Sequence, residues 1–189
     1  MRYVFIGGIP TAGKSYLAKK VADALGIAYF QTDHWRDDLQ SDPETRRWVD
    51  FFWNQDEEKY WRETDCDQQW ENLKNQSEAF WPAFSKKIKN IQADNQPAVF
   101  EGVNILPHLA RRDLDFPGIF LLGESYEKIL ERNKKEPRWG KSEFLQEQEA
   151  KAFWSCERMQ YQKEAEKYGF KTFNDSFSAK NELLRILKS

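Results

Sequence analysis

The chain has 189 residues, the length of one domain with room for a substantial core. Its 29 lysines and arginines against 31 aspartates and glutamates leave a formal charge of −2, which excludes the global basic field of a general nucleic-acid binder. No apolar run approaches the ~18 residues of a membrane span and no secretory signal is evident, so cytoplasm is the expected compartment, with Cys66 and Cys156 as free thiols in polar helical surroundings.

The chain opens on an apolar strand, Tyr3-Val4-Phe5-Ile6, and then runs through Gly8-Ile9-Pro10-Thr11-Ala12-Gly13-Lys14-Ser15 into a helix with Leu17, Val21 and Leu25 on one stripe and Gly26 at its C-cap. Strand, glycine-rich turn and helix, in that order, form a phosphate-binding loop. Backbone N–H groups of the loop point inward at phosphate oxygens, and the helix adds the positive end of its dipole. Lys14 is expected on the β- and γ-phosphates and the Ser15 hydroxyl on Mg²⁺, with Tyr16 following at the start of the helix. Ile27-Ala28-Tyr29-Phe30 reads as a short buried strand that ends in Gln31-Thr32-Asp33.

From about residue 40 to 93 the strand signal is replaced by a polar, helix-compatible and aromatic segment that includes Trp48, Phe52, Trp53, Tyr60, Trp61, Trp70, Trp81 and Phe84. Between residues 31 and 96 there are 15 acidic and 9 basic side chains, a balance that opposes a phosphate backbone. Two to four helices are expected here, as an arm over the sheet edge, with Pro43 at a helix start and Pro82 at a break or kink. Its aromatic residues serve core packing, a planar or apolar substrate pocket, or base stacking, in that order of preference.

Strands resume at Ala98-Val99-Phe100, ending in Glu101-Gly102, and at Ile119-Phe120-Leu121-Leu122. A short helix follows Pro107. Ser125 caps a helix that reaches Lys135 and breaks at Glu136-Pro137-Arg138-Trp139-Gly140. Ser142 starts a long helix to about Tyr168, Phe170 to Phe173 form the last strand, and Leu183, Leu184 and Leu187 lie on a closing helix. Five strands alternating with helices predict a doubly wound, parallel α/β domain.

Ligands of open α/β sheets bind beyond the carboxyl ends of the strands. At those ends lie Asp33, fit to orient or deprotonate an acceptor hydroxyl, Arg36, fit to pair with an anionic group, and Glu101, fit to support a metal. Asp33 also suits a helix cap, Arg36 a surface position, and His34 is read as structural before it is read as a base. Arg132 and Arg138 flank the proline-glycine break, as in a mobile lid whose guanidinium groups close on a transferring phosphoryl group; a basic helix end explains them as well. Two short matches to guanine-nucleotide motifs, Asp115-Phe116-Pro117-Gly118 and Asn133-Lys134-Lys135-Glu136, lie 15 residues apart in the wrong context and are set aside.

Gly8 to Ser15, Thr32-Asp33-His34-Trp35-Arg36, Glu101-Gly102-Val103 and the arginines around Pro137 together resemble the small P-loop kinases of the nucleoside-monophosphate-kinase-like group, among them adenylate, shikimate and gluconate kinases and polynucleotide 5′-kinase domains. The resemblance implies a three-layer P-loop NTPase fold with strand order 2-3-1-4-5, a substrate-binding arm (about 40–96), a lid (about 132–142) and MgATP as donor. It further implies that Asn174-Asp175-Ser176 sits beside the adenine and that Asp33 and Arg36, with Glu101 and Gly102, face the acceptor. Pro10, Thr11, Ala12 and Gly13 belong to the nucleotide site with the rest of the loop. The arm lacks the nucleotide-monophosphate motifs of adenylate kinases. The expected function is therefore ATP- and Mg²⁺-dependent phosphoryl transfer to a hydroxyl of a small molecule. The rivals are an RNA or polynucleotide 5′-end kinase and a nucleotide-binding regulatory ATPase without an acceptor.

Overall fold

The computed structural model describes residues 2–188. Strands β1 (Tyr3–Gly8), β2 (Ala28–Gln31), β3 (Ala98–Glu101), β4 (Gly118–Leu121) and β5 (Lys171–Phe173) form one sheet in the order β2-β3-β1-β4-β5, and every pairing is parallel. Register aligns Ile6 with Glu101 and Gln31 with Glu101, so three strands end side by side where β1 enters the glycine loop. Central strands covered on both faces must be apolar throughout, and Val4, Phe5, Ile6, Val99, Phe100, Ile119 and Phe120 are fully buried. Phe5 meets Phe116, Phe120 and Phe170 edge-on at ring-centroid separations of 5.4–6.2 Å; burial of a side chain of this size contributes about 2–3 kcal/mol.

The second strand, expected to be buried, is only half-buried: it is the sheet's outer strand, with a neighbour on one side alone. Helix α1 (Lys14–Leu25) crosses from β1 to β2 and ends on Gly26 in the left-handed conformation, as its apolar stripe and glycine predict.

The arm begins with a 3₁₀ helix (Thr32–Leu39) and continues through α2 (Pro43–Val49), α3 (Glu57–Glu63) and α4 (Cys66–Ala93). Asp42, Asp56 and Asp65 each cap the helix that follows by accepting a backbone N–H. Part of the arm's acidity is therefore helix-starting chemistry. Helix α4 buries Trp70, Leu73, Phe80, Trp81, Phe84 and Ile88 along one face, and the indole N–H of Trp81 donates to Asp113 at 2.7 Å. Of the break or kink expected at Pro82, the break does not occur: the segment runs for 28 residues. Buried Phe80, Trp81 and Phe84 surround that proline, and their packing outweighs a lost backbone hydrogen bond.

Helices α5 (Pro107–Asp113) and α6 (Tyr126–Lys135) lead to the 136–142 connection, and α7 (Glu143–Ala152), a π-helical turn (Phe153–Glu157) and α8 (Arg158–Lys167) form one continuous helical run before β5 and α9 (Ser176–Lys188). Ser125 and Ser142 cap as expected. The free-thiol expectation is overturned: Cys66, at the start of α4, is disulfide-bonded to Cys156 in the π turn. The arm folds back over the sheet and brings positions 90 residues apart to a Cα separation of 5.0 Å, and Cys156 is buried. Free thiols thus no longer argue for a reducing compartment. No described helix is long and apolar enough to cross a membrane.

Candidate functional site

The loop between β1 and α1 is built by backbone geometry. Thr11 and Gly13 lie in the left-handed region at φ 53° and 98°, a conformation that Gly13 adopts without the strain a side chain would bring. Neighbouring residues of opposite hand turn successive N–H groups toward one concavity. Helix α1 has no side-chain cap, which leaves its first amides to an anion. Thr11 Oγ1 is shielded from solvent without a partner. The Lys14 ammonium is buried and donates to the Ile9 carbonyl at 2.8 Å, across the loop.

Beneath the loop, Ser15 donates to Glu101 Oε1 at 2.8 Å and Tyr29 donates to the same oxygen at 3.1 Å. Glu101 is 1 % exposed. Burial lowers the Lys14 pKa and raises that of Glu101, and each charge partly offsets the shift of the other. Gly102 follows because nothing larger fits: a Cβ there would stand 2.0 Å from Thr32 Oγ1. This packing requirement accounts for a glycine that the sequence marked for substrate.

Asp33 accepts from the Val103 amide at 3.2 Å and acts electrostatically on Lys14, Glu101 and Tyr29. It faces a cavity of about 290 Å³ that begins at Pro10 of the loop and extends under the arm. Arg36 and His34 reach the same cavity; the Arg36 Nε donates to the Asp33 carbonyl at 2.9 Å, and His34 is exposed. The two arginines expected in a lid part company. Arg138 lines the cavity, whereas Arg132 donates to the carbonyls of Thr11 and Ala12 at 3.1 and 3.0 Å, bracing the loop from behind.

Along the first turns of α1 a second cavity is bounded by Tyr16, Lys20, Asp175 and Phe177. The aromatic rings of Tyr16 and Phe177 are 65 % and 76 % exposed. Asp175 caps α9 through the Ser178 amide, and Asn174 accepts from Arg158 at 2.9 Å; of the two, Asp175 borders this cavity.

The far wall of the first cavity takes three of the rings that the sequence offered for core or pocket, together with two glutamates it did not single out. Phe52, Tyr60 and Trp61 of the arm converge on Trp139 of the 136–142 connection, with centroid separations of 5.5–5.8 Å from the indole. Glu149 of α7 and Glu157 of the π turn complete the wall. Glu149 is 4 % exposed, and both glutamates have an Oε2 that is shielded and unpartnered. Burial raises both carboxyl pKa values, that of Glu157 to about 7. Their one sequence signal is the spacing of Glu149, Phe153 and Glu157 at four-residue intervals in a helix with many surface glutamates.

Parallel order 2-3-1-4-5, a glycine loop after the central strand and helices on both faces decide the architecture. The fold is that of the small P-loop kinases. Shikimate kinase from Acinetobacter baumannii, in complex with shikimate, superposes with a TM-score of 0.57 at 13% identity, over 100% of this chain and 93% of that one. Deoxyadenosine kinase from M. mycoides with bound dATP gives 0.51 at 17% identity, over the full length of both chains. A gluconokinase from Sinorhizobium meliloti 1021 gives 0.51 at 15% identity, over 98% and 91%. No family model and no curated protein matches the sequence. At such identities the likeness establishes the P-loop kinase fold, in agreement with the resemblance read from the motifs.

Proposed function

We propose that the protein is a phosphotransferase that moves the γ-phosphate of ATP to a hydroxyl of a small molecule. The observation that carries this reading is one cavity running from the phosphate loop at Pro10, past Asp33, to a closed aromatic wall. A donor cradle and an acceptor chamber with a carboxylate at their junction are what in-line transfer requires. The acceptor oxygen attacks the γ-phosphorus, the bond from that phosphorus to the bridging oxygen breaks, ADP leaves, and the hydroxyl proton passes to Asp33. Lys14 and the loop amides hold the phosphates, Arg138 stabilises charge on the transferring group, and Arg132 keeps the loop in shape. Tyr16 and Phe177 offer two ring faces to the base of the nucleotide, with Asp175 beside them. Asn174, held by Arg158, supports that edge of the site.

Ser15 and Glu101 present hard oxygen donors together, fit for a magnesium ion that keeps several of its waters. When bound there, Mg²⁺ neutralises charge on the β- and γ-phosphates. Small neighbours with the same fold are named as kinases of shikimate, deoxyadenosine and gluconate, which supports a small acceptor here. So does the volume of the chamber, at the low end for ligand sites.

The test is ADP release from MgATP over a panel of hydroxylated metabolites. Acceptor-dependent release, cut about a hundredfold or more by Asp33→Asn with MgATP affinity retained, is the expected result. Failure to bind MgATP in calorimetry, or turnover independent of every acceptor, overturns the reading.

A further inference from the structure

The proposed transfer leaves the far wall of the chamber unused, and its chemistry is specific. Four rings, Phe52, Tyr60, Trp61 and Trp139, are packed against one another at right angles or tilted, and the Trp61 indole is fixed by its N–H bond to Glu57 at 3.0 Å. Such rings present electron-rich faces and a dry, fixed surface. Beside them, Glu149 is almost wholly buried, and Glu149 and Glu157 both line the chamber with one carboxylate oxygen, Oε2, shielded and without a hydrogen bond, while the Asn133 side chain engages the Glu149 carboxyl. Shielded carboxylates without partners are costly, and a protein keeps them where a ligand supplies the missing partner.

The nearby cation fills that role only at a distance. Arg138 lines the chamber and its charge opposes the burial shift of both glutamates, but it is not within hydrogen-bond or ion-pair reach of either carboxylate. In the transferase reading its guanidinium belongs to the phosphoryl group, which draws it further from them. Arg36 is held to the Asp33 carbonyl at the opposite side. An anionic acceptor would therefore meet two more negative groups at the wall. A positively charged one would meet two carboxylates and an aromatic box, the combination that recognises ammonium groups.

We infer that the acceptor is an amino alcohol: its ammonium group sits among Trp61, Trp139, Glu149 and Glu157, and its hydroxyl points back to Asp33. This deepens the proposed function and rests on it for the transfer step, but the cation site itself does not depend on ATP. Burial raises both carboxyl pKa values, and an entering cation opposes that shift and favours the charged form. The neutral isostere of a given ammonium alcohol fills the same volume without that gain.

The experiment compares choline with 3,3-dimethylbutan-1-ol, its uncharged isostere, alongside ethanolamine, shikimate and gluconate. Binding is followed without nucleotide by calorimetry and by tryptophan emission, which Trp61 and Trp139 report from within the chamber. Choline or ethanolamine is expected to bind saturably, with choline at least tenfold tighter than the isostere. Glu149→Gln narrows that ratio to about twofold, and Trp139→Leu, at a half-buried position, weakens choline about tenfold if the buried Glu149 variant fails to fold. Equal binding of choline and its isostere, or binding of shikimate or gluconate in place of both amines, overturns the inference. A parallel MgATP titration separates the two claims. Amine binding without MgATP binding removes the transferase and leaves the cation site, while MgATP-dependent transfer to the hydroxy acids alone does the reverse.

Discussion

The phosphate cradle and the acceptor chamber meet at Asp33, yet they are built on opposite principles. In the proposed transfer the cradle is one continuous stretch of eight residues that binds through its amides, so its chemistry rests on backbone dihedrals such as those of Thr11 and Gly13. The chamber is assembled from side chains of the 3₁₀ helix, the α2–α3 region, the 136–142 connection and the π turn. A site made of backbone tolerates little change in sequence. A site made of distant side chains can change its ligand while the fold stays the same.

The comparison can be broken most directly at the cradle. Lys14→Ala is expected to lower transfer about a thousandfold, equivalent to ~4 kcal/mol, with far-ultraviolet circular dichroism unchanged. Near-normal turnover in steady-state kinetics would show that the loop is not the donor site.

The next effect lies on the chamber side, where the Cys66–Cys156 bridge ties the arm to the π turn over a separation of 90 residues. Cys66→Ser is expected to cost about 3 kcal/mol in urea unfolding, within the usual range for a native disulfide and below the loop-closure limit for so long a loop. The loss should be matched by adding a reductant to the wild type and should leave MgATP affinity intact. A variant as stable as the wild type would mean that packing alone holds the arm in place.

Glu157 sharpens the contrast further, because its carboxyl titrates at about 7 in the folded chain against an ordinary 4.5. The unfolded chain ionises first, so folding stability is greatest below about 4.5 and declines as pH rises to about 7, after which the contribution is level. Burial causes the shift; Arg138 and Lys14 oppose it and Glu149 adds to it. Glu157→Gln should remove this part of the decline, on the order of 2 kcal/mol, in unfolding curves at pH 5 and 8. Parallel pH profiles for variant and wild type would contradict it. The smallest effect belongs to Trp139→Leu, expected to raise the acceptor KM about tenfold, or ~1.4 kcal/mol, with kcat and the KM for MgATP held.

The same contrast explains what could be read before the structure. The loop, the caps at Ser125 and Ser142, and the glycine stop at Gly26 rest on local rules, and each stands where the sequence placed it; the strand order came from the resemblance to P-loop kinases and stands as well. The arm was legible as helices and its rings as a mixture of core and pocket. Which ring did which was not, since Trp81 and Trp61 look alike until α4 and α3 are placed. The former is fully buried and the latter faces the chamber. Glu149 and Glu157 were invisible among surface glutamates, because only the path of the helix decides which carboxylates it buries. The two cysteines misled for the same reason: neighbours distant in sequence set the outcome.

The wide turn at Phe153–Glu157 accommodates an extra residue within an otherwise regular helical run. Upstream of it, Glu149 addresses the chamber; downstream, the Tyr161 hydroxyl donates to the Val103 carbonyl beyond the end of β3. It thus works as an indexing joint, setting the angular offset between two faces with separate jobs. Shortening it by one position would swing everything beyond by about 100°, uncoupling that tyrosine from the sheet while every amino acid of the glycine loop stayed untouched.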